Sequence, residues 1–265
     1  MDYWKILLVN PILNLLVIFY KVSEFLHLPG PLGFAIILLT IAIRLLLYPL
    51  MHAQLKSAKK MSDLKPHMDA LNQKHKGDKQ ALQQAQLALY KEHGVNPAAG
   101  CLPLLVQMPV LIALYNVFYQ VLNNGNVQKI LENINSIVYL PAFHLSSLDL
   151  NFFGINLGIK PGQFQTHGWW LLSIPAITAG LQWYQSKLMM PKQAISDKRE
   201  VISKTEEKKE EKPQDTAAEM QKQMMLITPL MFGYFALQFP LGLALYWNVF
   251  GLMGIMQQLR VNKQK

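Results

Sequence analysis

The sequence predicts an all-α integral membrane protein with five transmembrane helices, a cytoplasmic helical hairpin and an N-terminal interfacial amphipathic helix. Three observations predict it. Apolar residues fill 51% of the 265 positions and arrive in blocks of about twenty, the length that crosses a bilayer core. Charged residues make up 15%, well below the level of about 25% in a soluble domain. The net charge of +9 is concentrated in a few segments between the apolar blocks. A mean hydropathy of +0.16 agrees. The single cysteine, Cys101, rules out an intramolecular disulfide.

Residues 1–30 form the predicted interfacial helix. The run ILLVNPILNLLVIFY has no small-x-small cleavage site and no lipobox cysteine, so it is expected to be retained. Asn10 is an expected N-cap and Pro11 an expected first helical residue. Asn10 and Asn14 share a face with Lys21 and Glu24, opposite Leu, Ile, Val and Phe. A short sixth span is the alternative for this run.

The first span is placed at 31–52. A cytoplasmic αα-hairpin follows at 53–100, with stripes at Met61, Leu64, Met68 and Leu71, then Leu82, Ala85 and Leu89. Gly77 turns the hairpin and Pro66 kinks its first arm. The second span is 101–122. An outer surface segment rich in turn residues occupies 123–168, and the third span 169–189. A charged solvated linker runs from 190 to 222. The fourth and fifth spans, 223–240 and 241–259, meet in a tight turn at Pro240 and Gly242. A short cytoplasmic tail, 260–265, ends the chain.

Basic residues orient these spans. Eight lysines lie in 53–100 and nine Lys/Arg in 187–222, and the tail adds Arg260, Lys263 and Lys265. Only Lys129 and Lys160 lie in 123–168, and only Lys5 and Lys21 in 1–30. The N-terminus and 123–168 therefore face outward, and the C-terminus faces the cytoplasm.

Arg44 stands out. It lies inside the first span, where an arginine costs about 2.5–3.5 kcal/mol on insertion scales, and no span contains Asp or Glu to pair with it. It either snorkels to the headgroups or faces water inside the protein. Thr40 and Tyr48 fall one turn either side on the same helical face. Thr178, Gln182 and Gln185 share a face of the third span. Gln107 in the second span and Trp247 and Asn248 in the fifth add polar or amphipathic groups. Singly, such residues tie helices together; jointly, they resemble the lining of one hydrophilic groove.

Other chemistry is missing. The chain has no phosphate-binding GxxxxGK[ST] loop, no HExxH and no GxSxG, and its hairpin histidines His67, His75 and His93 lack a ligand cluster. No metal, cofactor or catalytic residue is expected. The lysines of the hairpin suit anionic lipid headgroups or RNA.

Three stretches carry a resemblance to a known family: TIAIRLLLYPLMHAQLKSAKKM at 40–61, ALYKEHGVNPAAGCLPLLVQMPVLIALY at 88–115 and FPLGLALYWNVFGLMGIMQQ at 239–258. They resemble the YidC family of membrane protein insertases. The resemblance implies five core spans and a groove open to cytoplasm and lipid. Arg44 is then the groove arginine, Thr40 the threonine before it and Trp247 the aromatic of the last span. It implies nascent hydrophobic membrane proteins as substrates, the Sec translocon and translating ribosomes as partners, and a bacterial plasma-membrane location. The large periplasmic domain of Gram-negative members, the lipoprotein N-terminus of many Gram-positive ones and a long basic tail are not found here. A solute transporter or channel using Arg44 as an anion site is the alternative; the odd span count and lack of inverted repeats weigh against it. A pure assembly chaperone is a third.

Overall fold

A computed structural model describes residues 3–75, 77–95, 102–122, 127–188 and 216–263. Helices dominate: α1 (Asn10–Phe25), α2 (Pro31–Leu46), α3 (Tyr48–Asp63), α4 (Lys65–Lys74), α5 (Lys79–Glu92), α6 (Leu102–Leu122) and α7 (Val127–Ile137) come first. A two-residue hairpin, β1 (Asn151–Phe152) and β2 (Ile155–Asn156), follows. Then come α8 (Phe164–His167), α9 (Ser173–Leu188), α10 (Thr216–Gln238) and α11 (Leu241–Lys263). The chain divides into two compact units: Met1–Tyr48 with Leu104–Gln182 and Pro229–Gly254, and Pro49–Pro103 with Trp183–Thr228 and Ile255–Lys265.

The first unit holds the main apolar core. Val9, Leu13, Leu16, Val17 and Tyr20 recur at helical spacing on α1, and Leu32, Ala35, Ile36, Leu39 and Ile43 do so on α2; all are buried. Ala113, Leu114, Val117, Phe118 and Val121 form the matching face of α6, and Ile130, Leu131 and Ile134 that of α7.

The start of α1 differs from expectation. Asn10 is not an N-cap, because a π-helical turn, Lys5–Val9, precedes it and its N–H reaches Lys5 O. The wider turn accommodates Pro11, which lacks an N–H and would crowd the carbonyl of an α-helical turn before it. Asn14 does not face water either. It is 8% exposed, donates to Ile137 O at 3.2 Å and accepts from Tyr139 N at 2.8 Å. Asn14 of the predicted polar face is thus turned toward the end of α7, while Lys21 and Glu24 of that face pair with each other at 3.1 Å, 27% and 39% exposed. Among the described residues, Lys5–Phe25 is the one helix long and apolar enough to cross a membrane, by length and composition.

Several predicted bounds shift. The first predicted span, 31–52, holds a helix break: α2 ends at Leu46, the chain breaks at Leu47 and α3 starts at Tyr48. Pro49 explains the break, since it cannot donate to residue 45 and its ring opposes that carbonyl. At 16 residues α2 is about 24 Å long, below the core thickness of a bilayer. In the third predicted span, 169–189, the α-helix begins at Ser173, because Trp169–Leu172 is a 3₁₀ turn. Pro175 falls in the first turn of α9, where a missing N–H costs least. α10 begins at Thr216, inside the predicted linker, and α11 continues to Lys263, through most of the predicted tail. Residues 190–215 of that linker lie outside the described residues.

The segment 127–168, predicted to lie outside, is more structured than expected. It holds α7, the β hairpin and α8. The missed signal for α7 is Ile130, Ile134 and Ile137, at i, i+4 and i+7. This segment fastens the core helices together. Asp149 N donates to Tyr20 Oη at 3.0 Å, and Leu241 N and Gly242 N donate to Ile159 O and Leu157 O, each at 2.9 Å. Gly30 and Gly33 leave room on α2 for Phe152.

In the second unit, α4 and α5 lie side by side and antiparallel. Gln86 donates to Asn72 Oδ1 at 3.2 Å, and the rings of His67 and His93 are 5.9 Å apart. Asp78 caps α5 through Gln80 N and Ala81 N, and Gly77, at φ +93°, makes the turn. Pro66 sits in the first turn of α4, so the predicted kink is a helix break at Leu64. Leu64 and Met68 are buried and Leu82 and Leu89 half-buried. Replacing these four with Ser should loosen the pair without touching the first unit's core. Limited proteolysis within 64–92 is expected to speed up, with the core fragments unchanged.

Candidate functional site

The predicted groove residues divide between packing and a polar spot on α11. Arg44 is in the last turn of α2, two residues before its end, and so lies nearer a helix terminus than the sequence suggested. Cations are favoured there by the helix dipole. The side chain is only 5% exposed. Its Nη2 donates to Phe250 O at 3.2 Å and its Cζ lies 4.0 Å from the centroid of the Phe250 ring. A cation over an aromatic face regains part of its lost hydration. Among the described residues, its Nε has no hydrogen-bond partner. The carbonyl and ring of Phe250 are the groups that meet the guanidinium.

Thr40, one turn before Arg44, is fully buried and donates its hydroxyl to Ile36 O at 2.6 Å. Tyr48 does not continue this face. The break at Leu47 separates it from α2, and it is 39% exposed. On α9, Thr178 is buried and donates to Ile174 O at 2.9 Å. Both threonines thus satisfy their own helices, a common arrangement away from water.

Gln182 approaches α11. A methyl group added to Gly251 would lie 3.6 Å from its Nε2. Phe250 and Gly251 are adjacent, so Arg44 from α2 and Gln182 from α9 meet α11 at one level. Gln185 belongs to the other unit, and the side chain of Gln107, on α6, lies outside the described residues.

Trp247 sits one turn before Phe250, 5% exposed, within an aromatic cluster. Its ring is 5.4 Å from Phe232, 5.8 Å from Phe239 and 6.4 Å from Phe235, all on α10 or just after it. Edge-on contacts of this kind fix its position. Its Nε1 is buried without a partner among the described residues, and so is Asn248 Oδ1. Three partnerless polar atoms, on Arg44, Trp247 and Asn248, therefore mark the neighbourhood of one helical turn of α11. Unpaired buried groups are rare in native proteins and call for a reason.

Phe250 is the residue sequence reading missed. A phenylalanine in an apolar span carries no signal by itself; only its contact with Arg44 singles it out. Tyr246, stacked on it at 5.7 Å, was missed for the same reason.

The family model described as 60Kd inner membrane protein matches residues 24–265. The chain belongs to this family, that of the YidC insertases. A Membrane protein insertase YidC from Helicobacter pylori (strain J99) is 31% identical over 234 residues, covering 88% of this chain and 33% of the relative. The protein of that name from Pelobacter propionicus is 32% identical over 260 residues, 98% of this chain and 39% of its own. The one from Rickettsia conorii is 32% identical over 250 residues, 93% and 38% respectively. The chain thus spans between a third and two fifths of the length of these relatives. Family membership establishes a helical membrane protein, as the composition predicted.

Proposed function

We propose that this protein inserts integral membrane proteins into the bacterial plasma membrane and assists their folding. Support comes from the family match across the stretch that carries Arg44, and above all from the polar atoms gathered on one turn of α11. Arg44 on α2 and Trp247 and Asn248 on α11 bring a cation and two unsatisfied groups to neighbouring turns.

In this reading the helices α2, α6, α9, α10 and α11 provide the five spans. The α4–α5 pair projects into the cytoplasm, and 127–168 lies outside. Arg44, Gln182, Trp247 and Asn248 line a groove open to cytoplasm and lipid. The groove lowers the cost of bringing a substrate's polar tail into the bilayer, and Arg44 attracts acidic residues in that tail. Phe250 shields the guanidinium until a tail displaces it. The substrate's apolar segment then enters lipid, driven by burial of about twenty apolar residues. No covalent step is needed. Nascent membrane proteins are the substrates; anionic headgroups, the Sec translocon and ribosomes are candidate partners of the lysine-rich hairpin.

The test is reconstitution. Purified protein in liposomes should insert a Sec-independent single-span substrate, scored by protease protection of its tail, well above empty liposomes. Equal protection with and without the protein would end the proposal. Topology is checked separately with cysteines replacing exposed Ser147 and Gly77 in a Cys101→Ser background. An impermeant thiol reagent should label position 147 on intact cells and position 77 only after permeabilisation. External labelling at 77 would invert the arrangement.

A further inference from the structure

We propose that Phe153, at the tip of the β1–β2 hairpin, inserts into the lipid interface beside the first turn of α2 and anchors that end of the protein in the membrane. The proposal rests on membrane embedding, not on the insertase reading.

The turn itself is the first observation. Phe152 pairs with Ile155, leaving a two-residue loop of Phe153 and Gly154. Both have positive φ, +50° and +82°. This is the arrangement of a type I′ turn, whose first central position normally takes Asn, Asp or Gly. A bulky L-residue is disfavoured there because its Cβ crowds the backbone carbonyl. Strained residues tend to persist where the strain serves a purpose.

The strain does not serve the core. Phe153 is 67% exposed. Its neighbour Phe152 is the residue that packs, against Gly30, Gly33 and the ring of Phe34 at 5.5 Å. Phe153 lies on the outside of this cluster, 4.7 Å from Phe152 and 6.1 Å from Phe34. In water this position would combine an unfavourable backbone with an exposed ring. In lipid the ring offsets the turn.

Its level in the membrane is set by α2. A methyl group added at Gly30 would lie 2.7 Å from both Asn151 O and the Phe152 Cα, so the hairpin rests on the first turn of α2. The apolar run of α2 begins there. The stretch Leu150–Ile159 contains no charged residue, so nothing opposes its entry into an interface.

The experiment places a nitroxide at Phe153→Cys, in the Cys101→Ser background, in phosphatidylcholine–phosphatidylglycerol liposomes. Its collisions with oxygen and with a water-soluble nickel complex are compared with those of a label at exposed Ser147. Oxygen collisions at 153 should exceed nickel collisions several-fold, with the reverse at 147. Nickel collisions at 153 equal to those at 147 would overturn the proposal. Protection from both reagents would also overturn it, by showing that protein covers the tip. A second variant, Phe153→Asn, supplies the ordinary turn residue. Its protease-resistant fragments should match those of the parent protein; new cleavage within 127–168 would show the ring to be part of the core and would overturn the proposal equally.

Discussion

Arg44→Glu should reduce insertion of a substrate with an acidic tail more than any other single change, by at least tenfold at equal protein abundance. Arg44→Ala should follow, and Arg44→Lys should retain much of the activity. The order depends on charge. At 4 Å two unit charges attract by about 4 kcal/mol at an effective dielectric near 20, and by about 1 kcal/mol in water. Removing the cation deletes that term and reversing it adds repulsion. A tail with its acidic residues neutralised should therefore show a much smaller loss in the same variants. The position of Phe250 adds a second arm. Its ring covers the guanidinium at 4.0 Å, so Phe250→Leu keeps the charge and uncovers it. That variant should insert acidic tails at least as well as the parent. Protease protection of matched acidic and neutral tails, normalised to the amount of protein, reads all arms. Equal loss for both tails would show that Arg44 does not act by attraction.

Arg44 also shows how far the sequence could be read. That an arginine among apolar residues needs an explanation follows from solvation alone. What covers it does not, because Phe250 lies 206 positions away and an apolar span offers many equivalent rings. Thr40 and Thr178 looked like groove donors at their spacing, yet each hydroxyl turns back to its own helix. A threonine on a helix always has that carbonyl within reach, so spacing cannot decide between the two. Tyr48 falls on the face of Arg44 by a count of one turn across Leu47, just before Pro49. The count assumed an unbroken helix, and the proline at 49 is what ends that assumption.

Element positions were more legible than element ends. The apolar blocks led to α2, α6, α9, α10 and α11, because block length responds to burial summed over many residues. Their termini moved by several residues, because helix ends depend on local partners such as the Ser173 hydroxyl, which donates to Trp170 O at 2.6 Å. Asn14 misled for a related reason. A polar residue on an apolar helix can face water or a buried backbone, and here Ile137 and Tyr139 provide the backbone. The periodicity is the same in both cases.

Gly33→Ala should destabilise the protein by about 1–3 kcal/mol, the usual cost of overfilling a packed site. The sign is opposite to that expected from the helix alone, where Gly→Ala gains about 1 kcal/mol. The competing terms are separable by position. Gly33 lies on α2 directly beneath the Phe152 ring, and an added Cβ would overlap the ring atoms. The ring cannot back away, because the Phe152 backbone is itself held against Gly30 and by its pairing with Ile155. Gly180, on α9, has nothing within 4 Å of an added Cβ. Gly180→Ala should therefore be neutral or stabilising, by up to about 1 kcal/mol. Removing the obstacle completes the cycle. In a Phe152→Ala background the Gly33→Ala change should lose its penalty and recover the helical gain. Thermal unfolding of the four proteins in one detergent measures each term. An equal penalty with and without the Phe152 ring would show that the small residue at 33 serves some contact other than the hairpin.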